Sequence, residues 1–235
     1  MRDIQRLVSE VPFLKFLYLT HAVGYFKKKI IEYELKNVKE NKRNVIVTSP
    51  YEYNFYKKKL HYSDNYIHKA GLPRYDRFNS IKKNNFKKQC ILITFTYRKY
   101  RYEIYKKSLF KRNLEILLRN KFLLGFLKKK KIDLIYIPHH FDVFRKRTLN
   151  PNQFPYVKFA GQELLGLYIE QCSLFITDFS SISIDFMFLN KPSLFYLIDV
   201  KDKIKFVERQ YMQYNNKHYF GNVFSDQKTL IERIK

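Results

Sequence analysis

The sequence predicts an α/β protein of two units, each built on a parallel sheet. Three observations carry that expectation. Short apolar runs of strand character alternate with amphipathic stretches, which is the rhythm of βαβ units. A polar, basic stretch without periodicity, Ser80 to Gln89, interrupts the alternation and divides the chain into 1–85 and 86–235. Polar residues (His21, Arg74, Arg98, His139, Ser180) recur just after successive strands, where open α/β sheets place their ligand crevice. At 235 residues the chain suits one large or two small cores.

Taken in order, Phe13 to Tyr18 reads as a strand and Tyr25 to about Lys36 as a lysine-rich helix. Asn44 to Thr48 is the next strand. Ser49-Pro50 then opens a helix carrying Tyr53, Phe55, Tyr56 and Leu60, by the serine-cap and first-turn-proline preferences. Ile67 to Ala70 is a brief strand before the turn Gly71 to Arg74. Beyond the linker, Cys90 to Phe95 is a strong strand, followed by one long amphipathic helix from about Tyr105 to Leu127. Lys128 to Lys131 reads as its solvated end. Ile132 to Ile137 is a strand ending in Pro138-His139-His140, and Gln162 to Glu170 a leucine-rich helix. Leu174 to Thr177 is a strand, Asp178 to Ser181 a polar turn, and an apolar helix runs on to Asn190. Lys191-Pro192 resets the chain, and Ser193 to Ile198 is again a strand. Lys203 to Tyr214 is helical, Gly221 to Phe224 a short edge or loop, and Asp226 to Ile234 a last helix capped by Ser225.

Composition narrows the partners. Lys+Arg 46 against Asp+Glu 21 gives a net charge of +25, which favours polyanions: nucleic acid, an anionic membrane surface or phosphorylated substrates. A hydrophobic fraction of 46% with 18% aromatic residues excludes a disordered chain. Cys90 and Cys172 sit in apolar contexts that suit reduced, buried thiols, and no metal-ligand spacing occurs. No signal peptide is read at the start and no uncharged apolar run is long enough to span a bilayer, so the expectation is an intracellular, soluble chain whose charge suits it to a membrane surface. The Tyr/Lys/Arg alternation from Tyr97 to Tyr102 reads as a solvated helix entry in preference to a nucleic-acid stripe.

Ser180 and Ser181 fall where a helix begins. Their hydroxyls and the unpaired backbone N–H groups there suit an anion, and the alternative is that they only cap the helix. The surrounding segment, Thr177-Asp178-Phe179-Ser180-Ser181-Ile182-Ser183-Ile184-Asp185, then Lys191-Pro192, Tyr196 and Asp199, resembles the diagnostic stretch of the CDP-glycerol glycerophosphotransferases. Gly71-Leu72-Pro73-Arg74-Tyr75-Asp76 is similar to a second element of that family, and Thr94-Phe95-Thr96-Tyr97-Arg98 to a degraded third. Pro138-His139 and Thr20-His21-Ala22 are weaker matches.

The resemblance implies a GT-B fold of two Rossmann-type lobes, here with an incomplete N-terminal lobe. It implies transfer of glycerol phosphate, or a related polyol phosphate, from a CDP-linked donor to a hydroxyl of a cell-envelope polymer or lipid-linked acceptor, releasing CMP. It also implies roles. His21 is the general base, and His139 and Arg74 stabilise the diphosphate. Thr20, Ala22, Phe95, Thr96, Arg98, Pro138, Ser180, Ser181 and Asp185 complete the donor site, with no metal and no cofactor. No role is assigned to His61, His68, His140 or His218. The expected place is the cytoplasmic face of the membrane, peripherally bound, with no nucleic-acid partner. Two alternatives share the fold: a non-catalytic remnant binding nucleotide or anionic membrane, and a glycosyltransferase using a sugar nucleotide.

Overall fold

The computed structural model describes residues 17–18, 44–59, 61–76, 78, 89–98, 102–199 and 221–235. The chain divides into two compact units, Met1–Asp76 and Arg77–Lys235. The expected helices at Tyr25 to Lys36 and Lys203 to Tyr214, and most of the linker, lie outside the described residues, as do His21, Thr20 and Ala22.

The first unit contains a parallel sheet of β1 (Leu17–Tyr18), β2 (Asn44–Val47) and β3 (Ile67–Lys69), in that order. Helix α1, Pro50–Lys59, covers it, and Val45, Val47, Tyr56, Tyr62 and Ile67 form the core between them. Its start is fixed by side chains as the sequence suggests. The Glu52 N–H donates to Ser49 Oγ at 3.2 Å, and Glu52 reaches back to the Thr48 N–H at 2.7 Å, a variant of the capping box.

Among the described residues, the second unit holds a six-stranded sheet in which every pairing is parallel. Its strands are β4 (Cys90–Ile93), β5 (Asp133–Tyr136), β6 (Val157–Phe159), β7 (Leu174–Thr177), β8 (Ser193–Tyr196) and β9 (Val223–Phe224). Their order across the sheet is β6-β5-β4-β7-β8-β9, so the chain winds outward from β4 in one direction, returns, and winds outward in the other from β7. That is the doubly wound arrangement of nucleotide-binding folds, and its switch point lies between β4 and β7. The central strands are continuous apolar runs because helices cover both faces; every residue of CILI in β4 and SLFY in β8 is buried. The Gly221 to Phe224 stretch, expected as edge or loop, is the sheet edge, with Phe195 N–H donating to Asn222 O at 2.8 Å. A side chain at Gly221 would meet the Ser193 carbonyl oxygen at 2.1 Å, which explains glycine there.

Two expectations change. The long helix from Tyr105 to Leu127 is three: α2 (Tyr102–Lys107), α3 (Leu109–Leu118) and α4 (Lys121–Lys130). Hydrophobic spacing runs through the breaks, but Ser108 and Asn120 adopt extended backbone and accept from the N–H groups of Lys111 and Leu123, so each caps a new helix. Phe110, Leu114, Leu117 and Leu118 still form one buried stripe on α3. The last helix, α8 (Gln227–Ile234, with α5 to α7 given below), is capped by Asp226, which accepts from the Thr229 N–H at 2.9 Å, and not by Ser225. Cys90 and Cys172 are buried free thiols facing each other at 2.8 Å between sulfurs. Among the described residues no helix is long and apolar enough to cross a membrane.

Candidate functional site

At the switch point, the loop after β4 (Thr94 to Arg98) meets the loop after β7 (Asp178 to Ser181). The first contacts continue the sheet: Thr94 N–H donates to Ile176 O at 3.3 Å, and Thr177 Oγ1 donates to Thr94 O at 2.7 Å. Beyond them Asp178, fully buried, accepts three hydrogen bonds on Oδ1: from the Thr96 N–H and hydroxyl, both at 2.9 Å, and from the Phe179 N–H at 2.6 Å. Its Oδ2 lies 2.7 Å from Arg98 Nη1.

Arg98 continues the network. Its Nε and Nη2 grip Asp199 bidentately at 2.7 and 2.8 Å, Nη1 donates to the Thr96 carbonyl at 2.6 Å, and the guanidinium lies 5.1 Å from the Phe110 ring centre. One buried arginine therefore ties the loops after β4, β7 and β8 together. Arginine suits this because its planar fork matches a carboxylate edge to edge. Charges taken out of water need such full pairing to be tolerated.

Next to this network α7, Ile182–Phe188, begins. Ser180 and Ser181 are half-exposed at its entry. Ser180 Oγ accepts from the Ile182 N–H at 3.3 Å, whereas the Ser181 side chain makes no capping bond. Capping thus accounts for Ser180 in part and not for Ser181. Asp185 is fully buried in α7, and Ser183 donates to the Ser180 carbonyl at 2.7 Å. Lys191 Nζ donates to the carbonyls of Ile169 and Glu170 at 2.8 and 2.7 Å, closing the end of α6, Leu165–Gln171. Burial pushes its amine down to about 8.

On the other side of β4, the loop after β5 carries Pro138 and His139 into α5, His140–Phe144. Pro138 is buried and its carbonyl accepts from Gln162 Nε2 at 2.6 Å. His139 caps α5, its Nδ1 accepting from the Phe141 N–H at 3.2 Å. That bond assigns the neutral ring's proton to Nε2, so the other edge is a donor. Asp142 and Arg147, both buried, form an ion pair at 2.9 Å. Burial pushes the Asp142 carboxyl up to about 6, against the opposing pull of Arg147 and Arg98.

The residues expected to touch a donor therefore separate. Thr96, His139, Ser180 and Ser181 are half-exposed around the switch point. Phe95, Arg98, Pro138 and Asp185 are inside the protein, Phe95 packed edge-on to Phe110 at 5.9 Å between ring centres. Arg74 belongs to the first unit, exposed in the turn Pro73–Tyr75 with its guanidinium 5.5 Å from the Tyr75 ring centre. The supporting roles of Asp178 and Asp199 are not among the expectations, although each is a carboxylate placed just past an apolar strand.

A family model described as CDP-Glycerol:Poly(glycerophosphate) glycerophosphotransferase matches residues 8–235. The chain is 26% identical to the minor teichoic acid biosynthesis protein GgaB of Bacillus subtilis (strain 168), over 94% of this chain and 25% of that protein. It is also 26% identical to a teichoic acid glycerol-phosphate primase of the same organism, over 80% of this chain and 51% of that protein. The chain thus spans between a quarter and about half of the length of these relatives. Among solved structures, the wall teichoic acid polymerase TagF superposes with a TM-score of 0.63 at 14% identity, over 94% of this chain and 58% of that one. A UDP-GlcNAc 2-epimerase of Methanocaldococcus jannaschii, solved with UDP-GlcNAc and UDP, superposes at 0.51 and 12% identity, over 99% and 71%. These two are likenesses of fold, and the fold class is α/β and GT-B-like.

Proposed function

The chain belongs to the CDP-glycerol:poly(glycerophosphate) glycerophosphotransferase family, and on that premise we propose that it moves glycerol phosphate, or a related polyol phosphate, from a CDP-linked donor to an acceptor hydroxyl. The acceptor is a polyol-phosphate or lipid-linked glycan of the cell envelope. The observation that carries this reading is the pair of half-exposed serines beside Thr96 at the switch point, set on a buried Arg98–Asp178–Asp199 network.

In the proposed step the acceptor oxygen forms a bond to the β-phosphorus, the bond from that phosphorus to the bridging oxygen breaks, and CMP leaves with the electron pair. Such transfer needs positioning and charge stabilisation more than covalent help from the protein. Ser180 and Ser181 donate hydroxyls to the diphosphate, and His139 donates from Nε2. Arg98 does not touch the donor; it is a positioning residue that fixes Thr96 and Asp178. Asp185 and Pro138 act the same way, from inside. His21 takes the proton of the acceptor hydroxyl, a task suited to an imidazole with an ordinary pKa near 6.5. The net charge of +25 supports a peripheral position at an anionic membrane face, where a lipid-linked acceptor is presented.

CMP release from CDP-glycerol, with a short glycerol-phosphate oligomer as acceptor, tests the reading. Turnover by the wild type and its loss in His21→Ala is expected. Equal turnover in both removes His21 as the base, and no binding or turnover of any CDP-polyol removes the donor reading.

A further inference from the structure

The aromatic side chains past β4 and β5 form one connected set of rings. Tyr97 lies 5.5 Å from His139 and 5.2 Å from Phe141, between ring centres. His139 stacks on His140 at 4.3 Å and on Phe141 at 5.7 Å, with planes 30° and 18° apart, and His140 and Phe141 are 4.2 Å apart. Phe141, which meets each of the other three rings, is 46% exposed. Rigid supports hold the set from beneath. The Arg147 guanidinium lies 4.8 Å from the Tyr97 ring centre and is paired with buried Asp142. Backbone bonds of 2.8 Å, from Arg147 N–H to Asp142 O and from Asp142 N–H to His139 O, close the loop on itself. The rings are thus ordered before any ligand arrives, which lowers the entropy cost of binding.

We infer that Phe141, supported by Tyr97, His139 and His140, is the stacking platform for the nucleobase of the donor. This rests on the proposed CDP-donor reading and names the part of the site that recognises the base. Tyr97 follows Thr96 directly, and Thr96 is bonded to Asp178, so the ring set and the serine-bearing loop border the same switch point. A flat ring on fixed supports beside a phosphate crevice matches the π-face of a base. Phe144 and Val143, 81% and 51% exposed on the same short helix, stand beside Arg145 and Lys146, a composition that also suits a lipid surface. The base is favoured because the ring geometry is fixed by the buried Asp142–Arg147 pair and Tyr97 directly follows Thr96, which is bonded to Asp178, a registry that lipid contact does not require.

Calorimetric titration of the full chain with CMP and, separately, inorganic pyrophosphate tests the platform. Phe141→Ala is expected to weaken CMP binding roughly ten-fold or more, leave pyrophosphate binding unchanged, and be rescued by Phe141→Trp. Because Phe141 is half exposed, the variant should fold; a matching thermal unfolding curve checks this. Unchanged CMP affinity in a wild type that binds CMP overturns the platform and leaves the donor reading standing. Equal loss of both probes also overturns it, as does loss of binding to anionic phospholipid vesicles with CMP binding intact. A wild type that binds CDP-glycerol but not CMP overturns the platform alone, and one that binds neither CMP nor any CDP-polyol overturns the donor reading and the platform with it.

Discussion

Arg98 and Arg147 are each 2% exposed in the same parallel-sheet unit, yet they hold different things in place. Arg98 spans three loops, gripping Asp199 with two nitrogens and reaching Asp178 and the Thr96 carbonyl with the third. Arg147 and Asp142 are five residues apart and fasten a single loop to itself beneath Tyr97. The first arginine therefore fixes the loops after β4, β7 and β8 to one another, and the second fixes the loop after β5 beneath Tyr97. Damage at the two sites should differ in reach as well as size.

The largest effect is expected for Arg98→Ala, which leaves Asp178 and Asp199 buried without their cation. Breaking a buried pair from one side costs roughly 3–5 kcal/mol, to be read as a lowered denaturation midpoint. Arg98→Lys keeps the charge and loses the fork, so its loss should lie between that of alanine and none. If lysine behaves as wild type, the geometry of the fork is irrelevant and the positioning role fails.

At the second arginine the informative readout is pH. The Asp142 carboxyl is raised from 3.8 to about 6 by burial. A raised acid contributes stability that is fully present below its unfolded pKa and is lost as pH rises through its folded one. Asparagine mimics the protonated acid at every pH. The stability of wild type relative to Asp142→Asn should therefore fall between pH 4 and 7, by on the order of 1–3 kcal/mol. Parallel curves for the two proteins over that range would show that Asp142 does not titrate there.

The smallest stability effect is expected for Ser181→Ala. Its side chain makes no capping bond, so unfolding should change by less than about 0.5 kcal/mol. A loss near 1 kcal/mol would restore the capping interpretation.

Sequence patterning resolved the sheet strands well, because central parallel strands such as Cys90–Ile93 and Ser193–Tyr196 are continuous apolar runs. It failed at Ser108 and Asn120, where local capping overrode an unbroken hydrophobic stripe. The positions of Thr96, His139, Ser180 and Ser181 were legible as polar residues just past strands. Whether Arg98 faced a ligand or the interior was not legible, since that depends on Asp199, which is 101 residues distant in sequence. Phe141 carries no such signal: a phenylalanine reads as core by default, and its 46% exposure is a property of the fold.

The most direct test of the central claim, that the donor's diphosphate sits at the β4/β7 switch point, is calorimetric titration of CDP-glycerol into wild type and the Ser180→Ala/Ser181→Ala variant. Losing two hydroxyl donors should weaken binding roughly ten-fold or more while the unfolding curve stays within about 1 kcal/mol of wild type. Equal affinity in the two proteins would contradict the account.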